Sequence, residues 1–398
     1  MAAPIDNARK AILADRIFDG LRWHDHAAVL VHDSVIERIV DRDAVPDSFL
    51  QHRIPASGLL APGFIDLQVN GGGGILLNDD PSADAMAAIA RAHRAFGTTS
   101  CLPTFITDTL EKTKAVIAAA KSVAGRHGVL GLHLEGPFIN PARAGIHRRE
   151  HIAVADLRDV EWLSQLGKIG RSLITLAPER VPDGFIRELV ARGIRVAAGH
   201  SEAGAVDMQR AVRDGLTGVT HLFNAMPPMS GRSPGIIGTA LGEPRLTAGL
   251  IVDGIHVDPV SVRAAFAAKG ADAIALVTDA MPSVGRAGEA DFELLGTRVH
   301  LQDGALRGDD GTLAGAHLDM ASAVRNAVRL AHISLEDALR SASSTPAHFL
   351  GLERERGHLA AGACADLVAL TDDLQVLAVW TEGSEFIVPD APPTRLPK

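Results

Sequence analysis

Two hydrophobic rhythms divide the chain. Over residues 27–40 the run Ala-Ala-Val-Leu-Val-His-Asp-Ser-Val-Ile-Glu-Arg-Ile-Val switches between apolar and polar at short range, as half-buried strands do. The first 58 residues keep this character, and it returns in Ala-Asp-Leu-Val-Ala-Leu (365–370) and Leu-Ala-Val-Trp (377–380). Neither end has enough strands to fold well alone. The two are therefore expected to pair into one small β-sandwich domain, residues 1–58 with 356–398.

Residues 59–355 follow the other rhythm. Apolar runs of strand length near 59–69, 98–105, 129–138, 172–178, 194–200, 218–224, 247–253 and 273–279 alternate with helical stretches. Typical helices are predicted at Ser82–Phe96, Thr109–Val123, Phe185–Arg192, Glu202–Arg213 and Pro259–Lys269, several followed by glycine stops such as Gly97, Gly193 and Gly270. Eight β runs with intervening helices predict an α/β fold of the (β/α)8 TIM-barrel type. A doubly wound open sheet shares the alternation but normally carries a Gly-rich phosphate fingerprint. The run Gly71–Gly74 lacks the G-x-G-x-x-G spacing before a helix.

Composition narrows the function. Of 398 residues, 46% are hydrophobic, ample for a core, and the net charge is −9. That charge argues against binding a nucleic-acid backbone, although a local Arg or His can still meet one anionic group. Cys101 and Cys364 each lie in an apolar setting, so two buried thiols are expected rather than a disulfide. The opening residues show no signal-peptide core, and no apolar stretch nears the ~18 residues of a membrane span. The expectation is a cytoplasmic protein with no nucleic-acid or membrane partner.

Four polar residues close apolar runs: Glu135, His200, His221 and Asp279. A carboxylate and two imidazoles at strand tips form a plausible ligand set for a borderline divalent cation. An aspartate at a later strand tip has the chemistry to carry the protons of an attacking water. Asp279 also reads as a helix cap, and a lone strand histidine is more often a hydrogen-bonded core residue. Only a fold that gathers strand ends at one rim joins residues so far apart, and a barrel does so. His147, Arg232 and His256 fall in loops after barrel strands. Singly each reads as a surface residue, and their shared address on the catalytic face raises them. His24, His26, His93 and His332 are read as structural.

Eight short segments in series resemble the amidohydrolase superfamily, and within it the N-acetylglucosamine-6-phosphate deacetylase family. They are Pro-Gly-Phe-Ile-Asp-Leu-Gln-Val-Asn-Gly (62–71), His-Leu-Glu-Gly-Pro-Phe (133–138), Leu-Ala-Pro-Glu (176–179), Ala-Gly-His-Ser (198–201), Thr-His-Leu-Phe-Asn-Ala-Met-Pro (220–227), Asp-Gly-Ile-His-Val-Asp (253–258), Val-Thr-Asp-Ala (277–280) and Gly-Thr-Leu-Ala-Gly (311–315). The resemblance implies metal binding at Glu135, His200 and His221, with Asp279 as catalytic acid/base and His147 assisting. It implies a sugar-phosphate pocket lined by Ile146, His147, Asn224, Ala225, Arg232, Asp253, Gly254, Ile255, His256, Leu313, Ala314 and Gly315. Many superfamily members carry His-x-His at the first strand, where this chain has Gln68-Val69-Asn70, and the run 173–179 has no lysine. One divalent metal per chain is therefore expected, Zn2+ first, with Fe2+, Mn2+ or Co2+ as alternatives and Gln68 reaching it through water.

The implied reaction converts N-acetyl-D-glucosamine 6-phosphate to D-glucosamine 6-phosphate and acetate, in a homodimer or homotetramer. Three rivals stand beside it. They are the same chemistry on N-acetylgalactosamine 6-phosphate, a ring-opening cyclic amidohydrolase, and a catalytically silent binding barrel.

Overall fold

The computed structural model describes residues 9–55, 58–286, 291–386 and 388. Eight parallel strands pair in chain order: β1 (Phe64–Val69), β2 (Thr98–Ile106), β3 (His133–Glu135), β4 (Leu173–Leu176), β5 (Arg195–Ala198), β6 (Gly218–Val219), β7 (Thr247–Leu250) and β8 (Ile274–Leu276). Past its two ends the sheet closes on itself. Val69 pairs with Ala280, the amides of Asn70 and Gly71 both donate to the Ala280 carbonyl at 2.9 Å, and Asp279 N donates to Gln68 O at 3.0 Å. Every residue of β1 and β2 is buried, as expected of barrel strands covered on both faces.

Local chemistry sets the element ends. The helix Pro259–Lys269 lies where the sequence placed it. The Asp258 side chain accepts from Val260 N at 2.7 Å, and Gly270, at φ 73°, stops the helix. The helix expected from Glu202 begins at Ala205 instead. Its first amides are already committed, Glu202 N to Glu179 Oε1 at 2.7 Å and Ala203 N to Ser201 Oγ at 2.9 Å. Several strands are shorter than their apolar runs. The run 218–224 gives only Gly218–Val219, because His221 and Phe223 turn into the left-handed region at φ 31° and 80° and leave the ladder.

Both chain ends enter one further sheet of eight strands. Gly58–Pro62 pairs antiparallel with Leu367–Thr371 and parallel with Arg9–Phe18. Alternation along Arg9–Phe18 sends Ile12 and Ala14 into a cluster with Leu60 and Trp380, and Ala11 and Leu13 into another with Leu30 and Phe49. Leu59, Ala61 and Val368 join the barrel's own core, which seats this sheet against it. Cys101 is buried, whereas Cys364 is only half-buried, and both are free thiols.

A third sheet was not anticipated. Phe292–Leu294, Thr297–Gln302, Ala305–Gly308 and Leu313–Ala316 form four antiparallel strands after β8. Its last strand returns to the barrel rim, where Ala316 N donates to Asp279 O at 2.9 Å. No helix among the described residues is long and apolar enough to cross a membrane.

Candidate active site

Glu135 is the last residue of β3, while His200, His221 and Asp279 follow β5, β6 and β8 by two or three residues. The last three hold left-handed backbones, at φ 47°, 31° and 52°. Such conformations cost a non-glycine residue about 1–3 kcal/mol and persist only where the surroundings over-determine them. Here the turn brings all four side chains to the carboxyl end of the barrel.

Glu135 Oε1 lies 3.1 Å from His200 Nε2 and 2.9 Å from His221 Nε2, and the two nitrogens are 3.0 Å apart. The three residues are 2%, 6% and 3% exposed, so little water reaches them. His200 Nδ1 donates to the Arg143 carbonyl at 2.7 Å. In the neutral ring this leaves Nε2 as a lone pair aimed at the cluster. So many acceptors at this spacing need a cation among them. Burial disfavours the Glu135 carboxylate, yet the neighbouring His200 and His221 rings outweigh it and hold its pKa well below the usual range. Burial likewise disfavours the His221 imidazolium, and Glu135 outweighs it to raise that pKa. One carboxylate and two imidazoles suit a borderline divalent ion, and the donor set fits one.

Asp279 faces this group across Gln68. Gln68 Nε2 lies 3.2 Å from each Glu135 oxygen and 3.0 Å from Asp279 Oδ1, and Asn70 Nδ2 donates to the same Oδ1 at 2.6 Å. Both amides present N–H groups to the carboxylates, so they act as donors here. Burial, then the nearby Glu135 charge, pushes Asp279 up to about 6. His147 packs against His200 with ring centres 4.5 Å apart and the rings tilted by 54°. Burial above all pushes its pKa down to about 3, so the ring is neutral. Thr107 Oγ1 donates to the Glu135 carbonyl at 3.2 Å and lies 2.8 Å from His147 Nδ1. With its one proton committed, Thr107 accepts from Nδ1–H and leaves His147 Nε2 as an acceptor.

A cleft of about 370 Å³ opens over these groups. Of the expected pocket residues, Ile146, His147, Asn224, Ala225, His256, Leu313 and Gly315 line it. Five others lie off its wall. Ala314 points the other way along its strand, into a cluster with Met281 and Leu306. Asp253 stands behind His256, accepting from its Nδ1 at 2.6 Å and from the amides of Ile255 and His256 at 2.8 Å each. Gly254 and Ile255 form that turn. Arg232 is exposed on the loop 227–234. Gly315 carries φ +64°, and a Cβ there would fall 3.0 Å from Asp279 O and 2.5 Å from Met281 Cε, so the close approach requires glycine.

Arg143 and Thr312 line the cleft without having been expected there. Arg143 stood in the loop already singled out for His147, but its use of a backbone carbonyl leaves no mark in the sequence. A larger hollow of about 720 Å³ sits beside Gly72, Arg91, Phe96 and Arg325. It gathers no comparable set of ligands. Glu135, His200 and His221 are the one such cluster among the described residues.

The amidohydrolase family profile matches residues 59–385. The chain belongs to that family. This amidohydrolase is 39% identical to the N-acetylgalactosamine-6-phosphate deacetylase of a Shewanella species, over 90% of its own length and 91% of the relative's. It is also 39% identical to the N-acetylglucosamine-6-phosphate deacetylase of Bos taurus, over 82% of each chain. The crystal structure of N-acetylglucosamine-6-phosphate deacetylase from Pasteurella multocida superposes with a TM-score of 0.91 at 33% identity, over 95% of this chain and 99% of that one. Barrel, second domain and hydrolytic family membership thus agree.

Proposed function

We propose that this amidohydrolase hydrolyses the acetamide of N-acetyl-D-glucosamine 6-phosphate to D-glucosamine 6-phosphate and acetate. The observation that carries the reading is the convergence of Glu135, His200 and His221 beside Asp279 at the floor of one cleft. A divalent cation held by those three ligands would supply Lewis acidity, acidifying water and polarising the acetyl carbonyl. Zn2+ suits the donors first, and Fe2+, Mn2+ and Co2+ suit them as well.

Asp279 takes the proton of the attacking water and returns it to the departing nitrogen, which cannot leave as an amide anion. Asn70 and Gln68 hold its carboxylate toward the cleft. His147, neutral and presenting an acceptor, fits a sugar hydroxyl better than the carbonyl oxygen. His256, fixed by Asp253, faces the cleft near Asn224 and Ala225 and offers one contact for the phosphate. Arg232 offers the second. Because it sits outside its own cleft on an exposed loop, a dimer or tetramer that carries this loop into a neighbour's cleft completes the phosphate site.

The Shewanella relative's name favours a second reading on the galactosamine epimer, which differs only at the C4 hydroxyl. Acetate release from a panel of N-acetyl hexosamines, with and without 6-phosphate, separates the two. The expected order puts the glucosamine phosphate first, its epimer next and the unphosphorylated sugars far behind. A preference for the galactosamine phosphate would transfer the assignment to that substrate.

Arg232→Ala is expected to raise KM for the phosphorylated sugar by about 10–100-fold, the worth of one charge-assisted contact. The slow rate on the unphosphorylated sugar should hardly change. Equal losses on both substrates would assign Arg232 to folding or catalysis.

A further inference from the structure

Glu179 closes the Leu-Ala-Pro-Glu segment just beyond β4, and the reaction above gives it no part. Its Oε1 accepts from Asn140 Nδ2 at 2.9 Å and from Glu202 N at 2.7 Å. Its Oε2 accepts from Ser201 Oγ at 2.7 Å. These donors belong to two loops, Asn140 to the one after β3 and Ser201 and Glu202 to the one that carries His200 itself. Asn140 N in turn donates to His200 O at 2.8 Å. The Glu202 carboxylate accepts from Arg143 Nε at 2.5 Å, and the Arg143 carbonyl accepts from His200 Nδ1 at 2.7 Å. The contacts form a closed circuit from Glu179 through Glu202, Arg143, His200 and Asn140 back to Glu179. His200 is gripped at its ring and at its backbone carbonyl, in the left-handed conformation that aims Nε2 at Glu135.

We propose that Glu179 is a positioning residue for the ligand His200, locking its ring to the 140–147 loop that carries Ile146 and His147. The proposal rests on the reading of His200 as a metal ligand. Its physical basis is the number and kind of bonds. A carboxylate accepting three hydrogen bonds makes each charge-assisted, and no neutral side chain of that size accepts all three. Without it, Asn140, Ser201 and Glu202 lose their shared acceptor, and the two loops are left joined only through Asn140 N, Arg143 and His200 themselves. The strained His200 backbone then relaxes, Nε2 drifts from the ligand position, and the loop bearing His147 loosens with it. Metal affinity and substrate affinity are thereby tied to one residue that touches neither.

Three variants, Glu179→Ala, Glu179→Gln and Glu135→Ala, test this alongside the parent protein. Zn2+ affinity is read by competition with a chromophoric chelator, the ligand field by the visible absorption of the Co2+-loaded protein, and the fold by circular dichroism and melting. Glu179→Ala is expected to bind Zn2+ about 10-fold more weakly, the low end of the penalty for losing a ligand's direct partner, because Glu179 acts on His200 through Asn140, Glu202 and Arg143. It should also shift the Co2+ bands while keeping its secondary structure. Glu179→Gln retains one acceptor oxygen and should fall between Glu179→Ala and the parent in both readouts. Should Glu179→Ala fail to fold, the Glu179→Gln comparison carries the same test. Unchanged Zn2+ affinity and Co2+ bands in the folded variants, with only a lowered melting temperature, would make Glu179 a loop staple and overturn the proposal. Unchanged Zn2+ affinity in Glu135→Ala would instead overturn the metal site itself.

Discussion

Asp279→Asn is expected to keep its metal and lose about 10³–10⁴-fold in kcat, the upper range for removing a general acid–base group. That is about 4–5 kcal/mol of transition-state stabilisation. The amide preserves the shape of the carboxyl but has no basic oxygen to receive a proton. Asn70 and Gln68 already donate to Oδ1, so the new side chain still finds partners if its own oxygen turns toward them. Structure and metal content should survive, and the chemical step alone should fail. Steady-state kinetics with elemental analysis of the same preparation check this. Near-native kcat in a metal-replete Asp279→Asn protein would remove Asp279 from proton transfer.

Glu135→Ala is expected to lose metal and activity together, to background in both measurements. Its carboxylate is the only anion within the cluster and sits within 3.1 Å of both ligand nitrogens. Without it, two buried imidazoles face each other at 3.0 Å with no carboxylate in contact with both to draw a cation in. Metal binding is coupled to folding in such sites, so some thermal stability should go as well. His200→Ala should behave alike, since it removes a ligand and opens the hydrogen bond to the Arg143 carbonyl. Metal content by elemental analysis, acetate release and melting of the three proteins check it. A Glu135→Ala protein retaining a full metal equivalent and activity would place the ion elsewhere.

The parts of this molecule that were legible in its sequence share a cause. Parallel strands covered on both faces must be apolar throughout, so β1 through β8 announced themselves as runs, and the polar residue ending a run stood out. Glu135, His200, His221 and Asp279 were found that way. Pro259–Lys269 was legible because a capping aspartate and a terminal glycine both mark it. Run length misled where the backbone turns left-handed, as at His221, because that geometry depends on partners far away in the sequence. The strands of 292–316 are not legible in the sequence because they are short, three to six residues, and only partly buried, although the motif 311–315 within them is. Arg143, Thr107 and Glu179 escaped for a different reason. They act through a carbonyl, a hydroxyl and a carboxylate that reach across loops, and no spacing rule encodes such reach. Ala314 was placed on the cleft by motif, whereas strand alternation turns it into the core.

Titration of the metal-stripped protein with Zn2+, followed by acetate release from N-acetyl-D-glucosamine 6-phosphate, tests the central claim most directly. Activity should be absent after chelation, rise in proportion to added metal, and level off at one equivalent per chain. Full acetate release from the metal-free protein, or a rise that continues to two tightly bound equivalents, would contradict it.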